Sequence, residues 1–309
     1  MSNLYKYAGP SNIDNIFHSP ENISFRCSYP KDFNDPYELF LTIDFNQEPD
    51  ILAFYEGAVG KIPQRPTTCF SKSPAVIPMW AHYAQNHEGF VIELDEERVK
   101  VVIENAGFGD INYQDQAGDG IQDTLERAFH IGKPRYMYFL HRSVLRTAYF
   151  TKSSCWSYEA ERRMIVDEES IRRIGDMMLV DIPASCISSI IVGSRAHPDT
   201  REKLHNISSR IKCNIFDINI GRSSTTPFFR TKKGRTSIFN GSTIERSQKY
   251  CCECGEPVVG RITKCSWCRI NEAHKLNATY KNPYRALAGA GILGSYIEGM
   301  ERITNAIRK

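Results

Sequence analysis

The stretch YCCECGEPVVGRITKCSWCR constrains this chain more than any other. Cys251 and Cys254 form one C-x2-C pair and Cys265 and Cys268 a second, with ten residues between the pairs, mostly strand and turn formers. Each pair can wrap a tight turn round one side of a tetrahedral zinc ion, with sulfur about 2.3 Å from the metal, and an intervening hairpin would bring the turns together. So short a segment builds no apolar core, and metal binding would supply most of its folding free energy. Gly255, just past the second ligand, suits a turn that needs positive φ. Four thiolates close the coordination shell, so the spacing predicts a structural zinc ribbon rather than a catalytic zinc. Cys252 is left over as an alternative to Cys251, and Lys264, Trp267 and Arg269 are expected to be exposed around the metal.

The other five cysteines, Cys27, Cys69, Cys155, Cys186 and Cys213, are scattered without metal spacing, as buried thiols of a cytoplasmic protein would be. There is no run of 18 apolar residues, and Met1 to Pro10 lacks a secretory pattern; ALAGAGILGSYIEGM is too short and glycine-rich to span a bilayer. The expectation is a soluble, cytoplasmic protein with no membrane partner.

Charge is unevenly spread. Residues 1–220 carry 23 Lys and Arg against 30 Asp and Glu, whereas residues 221–309 carry 16 against 6. A basic appendage on an acidic body suggests delivery to nucleic acid, DNA or RNA, through residues 221–309, because clustered cations gain from counterion release. A solvated tail is the bland alternative.

The first 220 residues read as an α+β domain, the expected catalytic part. LYKY, ISF, TTCFS, GFVIEL, ERRMIVD, MMLVDI, SSIIVG and CNIFDINI read as strands. IQDTLERAFHIG, residues 133–148 and DTREKLHNISSRI read as helices, the last capped by Asp199 or Thr200. Strands and helices interleave irregularly, which argues against a doubly wound sheet. Residues 221–249 read as a basic linker or binding arm whose Phe228, Phe229 and Phe239 either stack on bases or dock the arm onto a neighbouring domain. The ribbon occupies 250–272, and a C-terminal helical segment 273–309, weakened by Gly289, Gly291 and Gly294.

Four blocks place polar residues among aromatics without helix or strand periodicity, as pocket-lining loops do: KDFNDPYE, TCFSKS, MWAHYAQNHEGFVIEL and WSYEAERR. With the opening LYKY, these blocks resemble, in order from Leu4 to Ser194, the bacterial family known as domain of unknown function 2971. That label implies no activity. LYKY as an opening strand, CFS on a central strand and an E-x-E pair leading into another strand also resemble the ADP-ribosyltransferase fold, whose members bind NAD in a cleft between two small sheets. This second resemblance implies a mixed-sheet ADP-ribosyltransferase-like domain that breaks the bond from nicotinamide to ribose through an oxocarbenium-like state, which a nearby carboxylate stabilises.

On a continuous strand, Glu159, Glu161 and Arg163 would share one face, so the glutamates would point together. The resemblance makes Glu161 the oxocarbenium-stabilising residue and Glu159 the group that orients or deprotonates the acceptor. His82 and Tyr83 would face them, with Tyr5, Lys6, Phe70, Ser71 and Trp80 around NAD. Those transferases carry a His on the first strand, where this chain has Tyr5 and Lys6. Simpler readings stand beside these: Arg163 as a salt-bridge partner of the glutamates, Trp80 and Tyr83 as core, Ser71 as a strand end, and Asn34 and Asp35 before Pro36 as a turn before a pocket wall. The resulting expectation is an NAD-dependent ADP-ribosyltransferase acting on nucleic acid or a nucleic-acid-associated target, toxic or defensive in a bacterium (a phage-defence effector), with a protein partner or inhibitor in prospect. The alternatives are a non-enzymatic sensor of a ligand or foreign protein with a nucleic-acid-binding ribbon, and a metal-dependent nuclease using Glu38, Glu159 and Glu161.

Overall fold

The computed structural model describes residues 3–37, 43–60, 62–116, 119–260 and 262–307, and the chain divides into two compact units, Met1–Ser247 and Gln248–Lys309. The first unit contains strands β1 (Asn3–Ala8), β2 (Asn22–Cys27), β3 (Thr67–Ser71), β4 (Phe90–Asp95), β5 (Gly107–Asp110), β6 (Asn112–Tyr113), β7 (Thr151–Lys152) and β8 (Glu161–Ile165). They are followed by β9 (Ile171–Ile174), β10 (Met177–Pro183), β11 (Ile187–Val192), β12 (Asn214–Asn219), β13 (Phe228–Arg230), β14 (Thr236–Phe239) and β15 (Ile244–Arg246). Ten of them form one sheet in the order β15-β14-β13-β12-β11-β4-β1-β3-β8-β5; β2, β10 and β9 form a second sheet, and β6 and β7 a parallel pair. Every strand read from the sequence is present, and the interleaving with helices makes the unit α+β.

The main sheet is buried on both faces at its centre, which explains why its strands are not simply amphipathic. On β1 and β4, Leu4, Ala8, Phe90, Ile92 and Leu94 enter a core shared with the second sheet and with the helix Pro198–Ile211. Their neighbours Tyr5, Tyr7 and Val91 enter a smaller core on the opposite face with Trp80, Ile191, Ile218 and Phe229. The helix Pro198–Ile211 links β11 to β12, the main sheet's parallel pair. A third cluster packs the helices Pro49–Val59, Asp119–Ile131 and Pro134–Phe150 together through Leu125, Leu140 and Val144.

Residues 221–249 are not a free linker or arm. β13 pairs with β12, β14 with β13 and β15 with β14, and together they extend the sheet. Phe228 and Phe229 are buried, and Phe239 sets its ring edge-on to Tyr5, 5.8 Å between centroids. Docking on the sheet therefore displaces base stacking as the role of these rings, because burying aromatic area outweighs the arm's weak apolar periodicity. The charge asymmetry shrinks accordingly: Met1–Ser247 carries 29 Lys and Arg against 31 Asp and Glu, and Gln248–Lys309 carries 10 against 5.

One close approach fixes the loop between the helix Ile77–His82 and β4. Gln85, Asn86 and His87 all have positive φ. The loop is held by Gly193 N donating to Gly89 O at 2.9 Å and Arg195 N to His87 O at 3.0 Å. A Cβ on Gly193 would lie 2.1 Å from His87 O, an atom of the backbone that cannot swing away. Gly193→Ala is expected to lower unfolding free energy by about 1–3 kcal/mol through overpacking, read as a fall in the urea midpoint; an unchanged midpoint would show that the loop can shift.

In the second unit the ten residues between the cysteine pairs hold no strand among those described, only an isolated bridge from Tyr250 to Pro257. The expected hairpin is thus two knuckle turns joined by irregular chain. Helices follow at Glu272–Lys281, Pro283–Gly289 and Leu293–Ile307, the first closed by a capping box between Asn271 and His274. Gly291, at φ 72°, lies between the second and third helices, so this glycine separates two helices rather than weakening one.

Candidate functional site

β1 runs beside β4 over six residue pairs but meets β3 at a single pair, Tyr5 with Ser71. The two strands splay, and a cavity of about 170 Å³ occupies the opening. Because it lies where the sheet parts, residues from both faces of β1 reach it: Tyr5, Lys6 and Tyr7 all contribute. Phe70 and Ser71 of β3 and Glu161 of β8 line it too, so the strands carrying LYKY and CFS and the strand that E-x-E leads into are adjacent around one pocket. Tyr83, Glu159, Phe33 and Asn34 complete much of the wall.

The glutamates reach this pocket by a route other than a shared strand face. Residues Ser154–Glu159 form a 3-10 helix, Ala160 turns with φ 45°, and β8 begins only at Glu161. The expectation that Glu159 lies on the strand with Glu161 is therefore corrected; the left-handed turn at Ala160 is what brings both carboxylates to one cavity. Glu161 and Arg163 do share a strand face, both buried.

Lys152, which no sequence motif singles out, connects the pair. Its Nζ lies 2.7 Å from Glu159 Oε2 and 3.2 Å from Glu161 Oε2, and 4.6 Å from the centre of the Trp156 ring. Arg163 donates from Nε to Glu161 Oε1 at 2.7 Å and from an Nη to the carbonyl of Tyr149 at 2.9 Å, with its guanidinium over the Phe33 ring. Tyr113 OH accepts from the Glu161 backbone N–H at 2.7 Å. Tyr83 OH donates to Glu159 Oε1 and accepts from Asn34 Nδ2 at 3.1 Å.

This network separates two chemically identical groups. Burial raises the Glu159 carboxyl above its usual value, and Lys152 and Tyr83 offset that only in part. Burial also acts to raise Glu161, but Arg163 and Lys152 outweigh it and hold the carboxyl down at about 2. The two carboxyls are thus shifted in opposite directions, Glu161 favouring its ionised form and Glu159 its protonated one, the pattern by which a site divides acid and base roles. Burial also depresses the Lys6 ammonium, which donates to Cys69 O at 2.7 Å and Thr68 Oγ1 at 2.9 Å across the splayed strands.

Other residues singled out in the sequence fall elsewhere. Trp80 is fully buried, its Nε1 donating to Pro74 O at 2.8 Å and its ring packed on Tyr7, so it is core rather than pocket wall. His82 ends its helix outside the cavity lining, with Nδ1 3.2 Å from Tyr158 OH. Tyr5 lines the cavity but donates its hydroxyl to Glu93 at 2.9 Å. Ser71 ends β3 and exchanges hydrogen bonds with Ser73, leaving its hydroxyl committed to a turn. Glu38 lies outside the described residues, and among those described the one cluster of three or more metal-binding groups is made of cysteines.

That cluster is Cys251, Cys254, Cys265 and Cys268, whose sulfurs lie within 4.8 Å of one another. Cys254 and Cys265 are 3.8 Å apart, and two thiolates at 2.3 Å on a tetrahedral ion would be separated by about 3.8 Å. The donor set therefore fits a metal of that kind. Cys251 is buried within the cluster while Cys252 is exposed outside it, which settles the choice between them. Trp267 and Arg269 are exposed, as expected, but Lys264 pairs with Glu253.

A family model described as "Protein of unknown function (DUF2971)" matches residues 79–164, under a third of the chain, running from Met79 to Met164 of β8 and so including Tyr83, Lys152 and both glutamates. No curated protein and no solved structure matches the chain. Among the described residues no helix is long and apolar enough to cross a membrane.

Proposed function

We propose that the cavity at the β1–β3 opening receives the nicotinamide end of NAD and that the first unit transfers ADP-ribose to an acceptor. The observation that carries the reading is the pair Glu159 and Glu161 in one aromatic pocket with their carboxyls displaced in opposite directions. A volume of about 170 Å³ suits a single ring rather than a dinucleotide, since pockets enclosing a whole ligand of drug size run to roughly 300–1,000 Å³. The rest of NAD would lie outside it. The adjacency of β1, β3 and β8 is a second support, because the sequence resemblance rests on those three strands.

In this reading the bond from ribose C1′ to the nicotinamide nitrogen breaks, its electron pair leaves with the ring, and the ribose becomes oxocarbenium-like. Glu161, held anionic, stabilises that charge. The acceptor then forms the new bond to C1′ and gives its proton to Glu159, whose carboxyl burial raises above its ordinary value and so makes the stronger base of the pair. Lys152 would hold both carboxylates in place before substrate arrives. A zinc ion in the four-thiolate cluster would be structural, ordering the second unit, whose net positive charge suits a nucleic-acid partner.

The test is release of nicotinamide and transfer of label from NAD to DNA, RNA or protein. Glu161→Gln is expected to lower kcat about 10²- to 10³-fold, Glu159→Gln to reduce transfer, and Cys213→Ala to leave both unchanged. Absence of NAD binding and turnover with every acceptor would sink the transferase reading. One observation favours a binding pocket without catalysis: Arg163 and Lys152 already neutralise Glu161. NAD binding that survives Glu161→Gln without any turnover in the parent protein would support that second reading.

A further inference from the structure

A second concavity lies on the first unit, away from the glutamates, between the helix Pro134–Phe150 and the edge strand β5. It encloses about 920 Å³ and continues, through Arg146, into a recess of about 400 Å³ lined by Asn112, Gln114 and Thr147. Four arginines line the larger part, Arg65, Arg142, Arg146 and Arg162, against one carboxylate, Asp110. Arg162 is spent on Glu96 and Asp110, which Lys72 also holds, and Arg65 faces Asp167 at 3.5 Å. Arg142 and Arg146 form no ion pair among the described residues and are exposed. Their charge is therefore available to a ligand.

Tyr138, Arg142 and Arg146 follow one another at i, i+4 and i+8 and so form one stripe of the helix. Tyr138 is 57% exposed although large and aromatic, and Arg142 donates to its hydroxyl at 3.0 Å with its guanidinium 5.8 Å from the ring centre. β5 ends the sheet and carries Gly107 and Gly109, so no side chain from these positions covers the groove floor. Gly109 could not carry one, since a Cβ there would meet the Phe150 ring at 2.3 Å.

We infer that this groove binds a single strand of nucleic acid, with Arg142 and Arg146 on phosphates and Tyr138 stacked on a base. Two arginines with no ion pair among the described residues and an exposed ring in one track match the two contacts such strands offer, charge along the backbone and an unpaired π-face. A lone phosphate would not use the length of the track, and a duplex presents no free base face to Tyr138. The site does not depend on the reading of the glutamate pocket. It sits on a unit with near-balanced charge, in a region where the overall composition gave no reason to expect it.

The experiment measures binding of fluorescent 12-nucleotide single strands, oligo-dT and oligo-U, to the full chain across a salt series. Because parent and variants share residues 248–309, differences between them report on the groove alone. Arg142→Ala with Arg146→Ala is expected to weaken binding at least 10-fold and to flatten the salt slope by about 1.4, two contacts at roughly 0.7 each. Tyr138→Ala is expected to weaken binding about 5-fold or more with the slope unchanged, and Tyr138→Phe to restore it. Preference for either DNA or RNA is consistent with the proposal. Unchanged affinity and slope in the double arginine variant, with an unaltered melting temperature, would overturn it, as would equal competition by polyglutamate or equal binding of a duplex.

Discussion

Arg163→Ala is expected to destabilise the first unit by about 3–5 kcal/mol, the usual cost of removing one partner of a buried ion pair. Arg163 is 0% exposed and Glu161 is 3% exposed, so the charge left behind sits in a poorly solvated position. The variant would leave Glu161 with Lys152 as its ion-pair partner among the described residues, Lys6 acting on it at longer range, and would take away the donor to the Tyr149 carbonyl. The urea midpoint reads the loss, and a change below about 0.5 kcal/mol would show that the pair contributes nothing. Acid should reproduce part of the effect. Glu161's folded-state carboxyl, about 2, lies below its unfolded value of 4.5, so the stability it contributes is fully present above pH 4.5 and is lost as pH falls through 2. At 1.36 kcal/mol per unit this is about 3 kcal/mol. Glu159, whose carboxyl is raised, acts in the opposite sense: its ionisation costs stability as pH rises. Asp110, Glu168 and Asp181 are also held low by their cations and lose stability in acid as well, so the Glu161 contribution is read as the difference between the acid limbs of Glu159→Gln and of Glu159→Gln with Glu161→Gln.

Cys265→Ser is expected to cost the second unit its metal and, with it, its fold between residues 250 and 270. Binding free energies of about 10–16 kcal/mol are typical of four-ligand zinc modules, and such modules are unfolded without the ion. Here the segment has no strand among its described residues and few buried side chains besides Cys251, Cys265 and Glu256 to replace that energy. Metal analysis of the purified chain should find one zinc per molecule in the parent and a small fraction of that in the variant. Cys252→Ser should retain it, because that thiol is exposed outside the cluster. A full complement of zinc in Cys265→Ser, or none in the parent, would remove the zinc assignment.

How much of this was legible in the chain differs between parts for physical reasons. Strands such as GFVIEL and SSIIVG announce themselves because a buried strand must be apolar wherever it runs. Cysteine pairs at C-x2-C spacing announce a metal cluster because the turn geometry is local. The glutamates were visible as a pair, but their convergence on one pocket depends on the turn at Ala160 that ends the 3-10 helix, and an alanine gives no sign of positive φ. Lys152 was invisible, since nothing about a lysine seven residues before Glu159 says that it folds back between two carboxylates. Phe228 and Phe229 could be read either as stacking rings or as docked ones, because β12, on which their strand pairs, lies before residue 221 and the local pattern of residues 221–249 does not show that pairing.

The sequence by itself determined the α+β character of the first unit, eight of its strands, the metal-type spacing of the clustered cysteines and the residue types that a reaction centre would need. These follow from periodicity and short-range spacing, which a chain carries with it whatever its neighbours. Only the tertiary structure decided that β1 and β3 part to open a cavity, that Trp80 is core, that residues 228–246 complete the sheet, and that Glu159 and Glu161 have opposite electrostatic fates. Those outcomes depend on groups distant in sequence meeting at a few ångströms, where burial and Coulomb attraction are strongest and where no local pattern records them.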